Sequence, residues 1–265
     1  MRYLIPLLLS AACGCSAPVW NAGLSPVKRG SHPPIAPSTL EFRLSWKGMV
    51  KAGSLRIEFA PKNANKPGSF VIKSSASSQG AAAMLFPYKH SYWSEINPAT
   101  LGSRHFHSTE EDSKETVVTT NRYGSSKVEV KEVSTTTETG AVSTKSFAFP
   151  FGITRDIFSA FLYIRSQKLA PGEEHTLLLM PFKTPCLLKV TVVAMEKHLG
   201  RDSLQLSFAL QKIDRTTLKL RTYKKLKKPA TVWLSDDAER IPIELRASVY
   251  IGDVRAVLTG FSKKP

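Results

Sequence analysis

The chain is poor in cysteine, poor in acid and free of long apolar runs, and each shortage excludes something. Its 265 residues hold three cysteines, Cys13 and Cys15 near the start and Cys186 far downstream. A single thiol in the body of the chain cannot form an internal disulfide, so a disulfide-stapled scaffold is excluded. No stretch approaches the roughly 20 apolar residues that a membrane-spanning helix needs. No Gly-x-Ser-x-Gly elbow, His-Glu-x-x-His helix or phosphate-cradling loop occurs. No catalytic residue, metal ligand set or cofactor is therefore assigned.

The N-terminus carries one positive charge at Arg2, a short apolar run from Tyr3 to Ala12 and the small-residue cluster Cys13-Gly14-Cys15-Ser16. That order is the layout of a secretory signal. Small residues before a cysteine resemble the lipobox of bacterial lipoproteins, where the sulfur takes a diacylglycerol and the chain is cut before it. Cys15 is the favoured lipidation site because it leaves a signal of ordinary length, and Cys13 is the alternative. A soluble periplasmic protein cleaved nearby is the simpler rival. The expected organisation is a signal peptide at residues 1–14, a flexible Pro-, Gly- and Ser-rich tether at 15–39, and a single β-rich domain at 40–265. The expected location is the cell envelope, on the periplasmic face of the inner or outer membrane.

With 37 basic residues against 21 acidic ones, the formal charge is +16. Outside the cytoplasm the anions at hand are lipid headgroups, lipopolysaccharide and acidic polysaccharide. The expected partners are the membrane through the N-terminal lipid, an anionic lipid or polysaccharide, or another envelope protein, and no nucleic acid. Charge is most polarised between Gln211 and Lys228, where Lys224, Lys225, Lys227 and Lys228 are candidate anion or membrane contacts. The plainer reading is a solvated face, because Thr217-Leu218-Lys219-Leu220-Arg221 alternates as a half-buried strand does.

From Leu40 onward the pattern is strand after strand. Glu41–Trp46, Gly53–Phe59 and Ser69–Ser74 alternate apolar and polar residues between turn residues. Thr116–Thr120 and Lys127–Lys131 flank Asn121-Arg122-Tyr123-Gly124, which reads as a hairpin loop. Ser134–Thr144 reads as either an edge strand or a loop, and further strands are expected from His175 to Phe261. One segment breaks the alternation: Ile157, Phe158, Phe161, Leu162 and Ile164 form a helical apolar stripe, with Thr154 as its N-cap and Asp156 in its first turn. The fold class is mainly β, an antiparallel curved sheet or open barrel-like domain with one central α-helix near 154–168 packed on it, because a sheet with one apolar face must bury it.

Several constellations invite a functional reading. Phe158, Phe161 and Leu162 on the helix, with Trp46 and Trp233, are candidate ligand-binding residues if the helix lines a cavity. Phe86, Tyr88, Tyr92 and Trp93 surround His90 and would serve a sugar or lipid surface, or more simply a barrel rim. His105 and His107 share one face of a strand but lack an evident third zinc ligand. Arg155 and Asp156 point about 100° apart on a helix, which favours structural roles, with Asp236 or Asp237 as a partner for Arg155. Asp236 and Asp237 themselves read as turn residues.

Three blocks in order make the chain resemble a widespread family of exported bacterial proteins of unknown function that also includes lipoproteins. They are Leu44-Ser45-Trp46-Lys47-Gly48 with Ala52-Gly53; Arg155-Asp156-Ile157-Phe158-Ser159-Ala160 with Tyr163 and Arg165; and Val232-Trp233-Leu234-Ser235-Asp236-Asp237 with Arg240-Ile241-Pro242-Ile243 and Gly252. The resemblance implies a barrel-like or half-barrel domain in which Arg155, Asp156, Ser159, Asp236, Asp237, Arg240 and Pro242 are structural motif residues. By analogy with periplasmic carriers, such a sheet could hold an acyl chain. The expectation for function is a noncatalytic envelope lipoprotein that binds an amphipathic ligand or docks a partner in envelope assembly. A hydrolase or transferase of envelope polymer and a purely structural scaffold are the rivals.

Overall fold

Alternation along the chain translates directly into one very large sheet. A computed structural model describes residues 17–60, 68–249 and 252–263. The chain runs through β1 (Ser38–Trp46), β2 (Val50–Ala60), β3 (Phe70–Ser78), the short helix α1 (Ala81–Leu85), β4 (Tyr88–Ile96), β5 (Ser103–Asp112), β6 (Glu115–Tyr123), β7 (Val128–Thr136) and β8 (Val142–Phe149). The central helix α2 (Ile157–Ser166) follows, and then β9 (Glu174–Leu179), β10 (Cys186–His198), β11 (Arg201–Ile213), β12 (Leu220–Thr222), β13 (Ala230–Ser235), β14 (Pro242–Val249) and β15 (Gly252–Lys263). All pairings between these strands are antiparallel, and the strand order is β8-β7-β6-β5-β4-β3-β2-β1-β15-β14-β13-β11-β10-β9, with β12 on β11.

The sheet curls but does not close, because β8 and β9 share no backbone ladder. α2 lies in the connection between these two edges. Just before it, the Arg155 N–H donates to Leu178 O and the Met180 N–H donates to Arg155 O, both at 2.9 Å, in a parallel bridge to the β9 edge. Side chains span the rest of the gap. Asn121 Nδ2 donates to Met180 O at 2.8 Å and to Phe182 O at 2.9 Å, Tyr123 Oη donates to Met180 O at 2.7 Å, and the Arg215 guanidinium lies 3.7 Å over the Phe147 ring.

The helix is apolar nearly all round, as a helix buried on every side must be. Ala160, Tyr163 and Ile164 pack against Leu177, Val190, Leu204 and Val232 on the β9–β13 side. Phe158 and Leu162 pack against Leu40, Phe42, Phe59 and Phe106 on the other. The expected mainly β class with one central helix is therefore the observed fold, as an open antiparallel sheet.

Three expectations need correction, and one open alternative is settled. The N-cap is Asp156, whose carboxylate accepts the N–H groups of Phe158 and Ser159; Thr154 instead bonds Phe151 O and closes the preceding turn. Asn121 and Tyr123 belong to β6, because burial of Asn121 rewards its two carbonyl partners across the gap. Ser134–Thr144, read as an edge strand or a loop, comprises the end of β7, a turn and the start of the edge strand β8, whose outer residues face water. Residues 17–39 are not a loose tether. Trp20 is buried and donates from Nε1 to Leu218 O at 2.7 Å, Ile35 is buried, and Ser25 pairs with Thr176 at the β9 edge. Gly and Pro here serve close packing, since a Cβ on Gly30 would lie 2.0 Å from Ser166 O.

The N-terminal segment should therefore contribute to stability. Trp20→Ala is expected to cost about 3–5 kcal/mol and lower the melting temperature by about 10 °C. A chain beginning at Leu40 should melt lower still in a thermal scan. Unchanged melting of both would show that the segment does not hold the fold.

Candidate functional site

The motif residues around α2 form a lock, built from sequence-adjacent charges that the fold buries completely. Asp156 is 0% exposed and also accepts from Ser94 Oγ at 2.9 Å. Burial pushes its carboxyl above the ordinary range while the hydrogen bonds oppose that shift. Arg155 donates to Leu101 O, to Ser159 Oγ at 3.1 Å and to Val27 O at 3.2 Å, and lies 4.4 Å over the Tyr163 ring. Leu101 sits in the left-handed region at φ 55° and offers the same carbonyl to Ser159 Oγ. Arg165 reaches Glu239 O at 2.7 Å, Ala238 O at 3.1 Å and Pro33 O. Burial lowers both guanidinium values to about 10. Arg240 closes the helix end by donating to Arg165 O and Gln167 O.

Arg155 does not pair with Asp236 or Asp237, correcting that expectation, because it lies at the opposite end of the helix from them. Asp237 fixes its own turn, accepting from Ser235 Oγ and the N–H groups of Glu239 and Arg240, and Asp236 N bonds Asp202 O. Pro242 begins β14, and Ser159 supports Arg155.

The candidate ligand residues do not meet in one place. Phe158, Phe161 and Leu162 are core packing. Beside Leu162 lies an apolar cavity of about 80 Å³, lined by Ile35, Phe70, Ile96 and Leu101 with Arg29 and Arg165 at its side. Trp46 is at the end of β1, edge to face with Phe86 at 5.7 Å. Trp233 faces away from the helix, stacked on His198 at 4.1 Å, with Glu196 accepting from its Nε1. His198 and the buried Glu244 are 2.6 Å apart there, and Arg246 also holds Glu244. Lys224, Lys225, Lys227 and Lys228 are exposed on the turn after β12. His105 meets Trp93 and His107 meets Thr120; no group of three metal-ligating side chains gathers among the described residues. Cys13 and Cys15 lie outside the described residues.

A larger cleft opens at the mouth where β4 to β7 face the β9–β10 connection and Tyr223. It measures about 310 Å³ and is lined by Tyr88, Glu110, Glu115, Glu132, Phe182, Lys183, Tyr223 and Lys225, among others. Tyr88 and Tyr92 both donate to Glu110 Oε1, at 2.6 and 2.8 Å. Burial raises both phenols. Glu132 is 5% exposed and takes Lys183 Nζ at 2.8 Å. Cys186 also borders the cleft, and burial pushes its thiol up to about 12, so it is a poor nucleophile. His90 stacks on Tyr92 at 3.9 Å, and burial pulls it down to about 4. Tyr88, with Tyr92 behind it on Glu110, was the available signal for one wall; the facing wall comes from residues about 100 positions away and left none.

Over residues 41–259 the sequence matches a family described as "Protein of unknown function (DUF3108)". No curated protein matches it. Among solved structures, a beta-barrel-like DUF1849 protein from Brucella abortus is similar at TM-score 0.55 and 9% identity, over 88% of this chain and 99% of that one. A Bacteroides fragilis protein of YmcC-like fold aligns at TM-score 0.32 and 9% identity, over 89% and 100%. The first likeness speaks for the fold alone.

His90 predicts a pH dependence. Its folded value lies below the ordinary 6.5, so the stability that the neutral ring contributes is whole above pH 6.5 and is lost as pH falls towards about 4. The loss is on the order of 3 kcal/mol. Urea unfolding across that window should show it, and His90→Gln should flatten the decline. An equal decline in both proteins would assign it to other groups.

Proposed function

The chain belongs to the DUF3108 family, and from that premise we propose a noncatalytic, lipid-anchored protein of the bacterial cell envelope that holds the polar part of an amphipathic ligand in its mouth cleft. One contrast carries this reading. Beside α2 the free space is about 80 Å³, less than the roughly 150 Å³ cavity that takes a benzene ring. The mouth cleft, at about 310 Å³, falls within the ~300–1,000 Å³ of ligand sites. The cavity beside α2 is too small for an acyl chain, whereas a hydroxyl- or amine-bearing head finds tyrosines, carboxylates and two lysines at the mouth cleft.

Export and anchoring at Cys15 rest on the charged, apolar and small-residue order of the first 16 residues. The noncatalytic reading rests on how the ionisable groups are used. The Tyr88 and Tyr92 hydroxyls are spent on Glu110, and the Cys186 thiol is held protonated. The His198–Glu244 pair sits under Trp233 with Arg246 rather than beside a nucleophile.

Native mass spectrometry of the full chain purified from a bacterial envelope tests the proposal. A noncovalent adduct is expected, and Val117→Trp, which fills the cleft from β6, should abolish it with little change in melting. An adduct that survives Val117→Trp, or a bare mass that takes up no added lysophospholipid or glycolipid, would overturn the reading.

A further inference from the structure

Five of the large apolar side chains left in water lie together, while others such as Val193, Met195 and Leu199 stand on β10 and the turn after it. Met49 is 80% exposed and Val50 48%, at the β1–β2 turn; Met84 is 86%, Leu85 67% and Phe86 47%, on and just after α1. Single exposed apolar residues are ordinary. Five on two neighbouring connections are not, and the Trp46–Phe86 ring contact joins the two.

Antiparallel strands place successive turns at alternate ends of a sheet, so these connections share their end with the tip of β14 and β15 and with the lysine turn after β12. Contacts trace the arc continuously. Lys47 N donates to Asp253 O at 2.8 Å, Ser248 pairs with Asp253 across β14 and β15, and Lys227 N donates to Ser248 O at 2.8 Å. Along this arc stand Lys47, Lys51, Arg255 and the four lysines of residues 224–228, with Asp253 at the β14–β15 tip, while Lys225 also borders the mouth cleft and its carboxylates. The acids of the β5–β6 connection stand one turn further round, where Glu111 holds Lys89 at 2.9 Å.

Exposed methionine, leucine and phenylalanine flanked by lysine match a bilayer surface, whose headgroup boundary accepts apolar tips while its phosphates meet ammonium groups. An apolar protein face would answer the first half of that pattern and leave the excess of cations on the arc without counter-charge. We propose that this end of the half-barrel docks on an anionic lipid surface, with the apolar side chains of Met49, Val50, Met84, Leu85 and Phe86 in the headgroup layer. The inference stands whatever the mouth cleft holds.

The test uses the full chain with Cys13→Ser and Cys15→Ser, so that no acyl anchor contributes, and a polarity-sensitive fluorophore on Met84→Cys. Buried Cys186 does not compete for the label. With vesicles of phosphatidylcholine containing phosphatidylglycerol, emission should shift to the blue and brominated acyl chains should quench it. Phosphatidylcholine alone should bind at least about tenfold more weakly, and changing Lys224, Lys225, Lys227 and Lys228 to Gln should weaken binding to the mixed vesicles by a similar factor. A label on Leu199→Cys, exposed at the opposite end, should stay in water. The proposal is overturned if position 84 reports water with both vesicles, if positions 84 and 199 respond alike, or if the shift at 84 grows with protein concentration without vesicles, which would make a second copy the occupant.

Discussion

A curled sheet that stops short of closure has an apolar inner face to cover and two edges to protect, and in this chain one connection answers both demands. The segment from Phe149 to Glu174 leaves one edge, lends the Arg155 backbone to the other, crosses the concave face as α2, and becomes β9. Everything else depends on keeping that helix in place. Three arginines hold it, two of them buried and all bonded to carbonyl oxygens rather than paired directly with carboxylates. A guanidinium has five donors in a rigid fork, which suits several carbonyls at once in a way a lysine cannot match. Removing such a charge from water is expensive. The cost is tolerable here because Asp156 lies beside Arg155, and because each donated bond fixes a loop, at Leu101, Val27, Pro33 or Glu239, that would otherwise leave its carbonyl unmet.

That arrangement also decides what the interior can hold. A helix apolar nearly all round occupies the concave face, and the price is paid in capacity: the space left beside Leu162 is too small for a chain of methylenes. Polar residues accumulate instead at the mouth, where β4, β5, β6 and β7 run past the end of β9. Carboxylates there are met by Lys183 and by the two tyrosine hydroxyls, so the polar lining of the cleft is held in place by its own side chains.

Much of this was legible in the sequence, for local reasons. β1, β2 and β3 declare themselves by alternation, and α2 by a change of period from two to about 3.6. β8 did not, because its outward residues are Ser, Thr and Lys on an edge where packing asks for nothing else. The 17–39 segment has the Pro and Gly composition of a linker, whereas Gly30 is there to let the chain touch the end of α2. The site was the least legible part. Tyr88 and Tyr92 announce one wall, but Glu132, Lys183 and Tyr223 join it only through the curl of the sheet, a long-range consequence that no local pattern carries.

The same curl explains why the basic residues gather as they do. Lys47, Arg255 and Lys227 are far apart in sequence, and each alone reads as a solvated turn lysine or arginine of the kind that discourages edge pairing. Hairpin geometry brings their turns to one end, next to exposed methionines and a phenylalanine whose burial in the monomer would require a partner surface that the fold lacks. Solubility alone would favour charge at this tip without the apolar side chains. The proposed docking of this end on an anionic lipid surface accounts for their joint presence, since headgroup phosphates meet the lysines and the boundary below them takes the apolar tips.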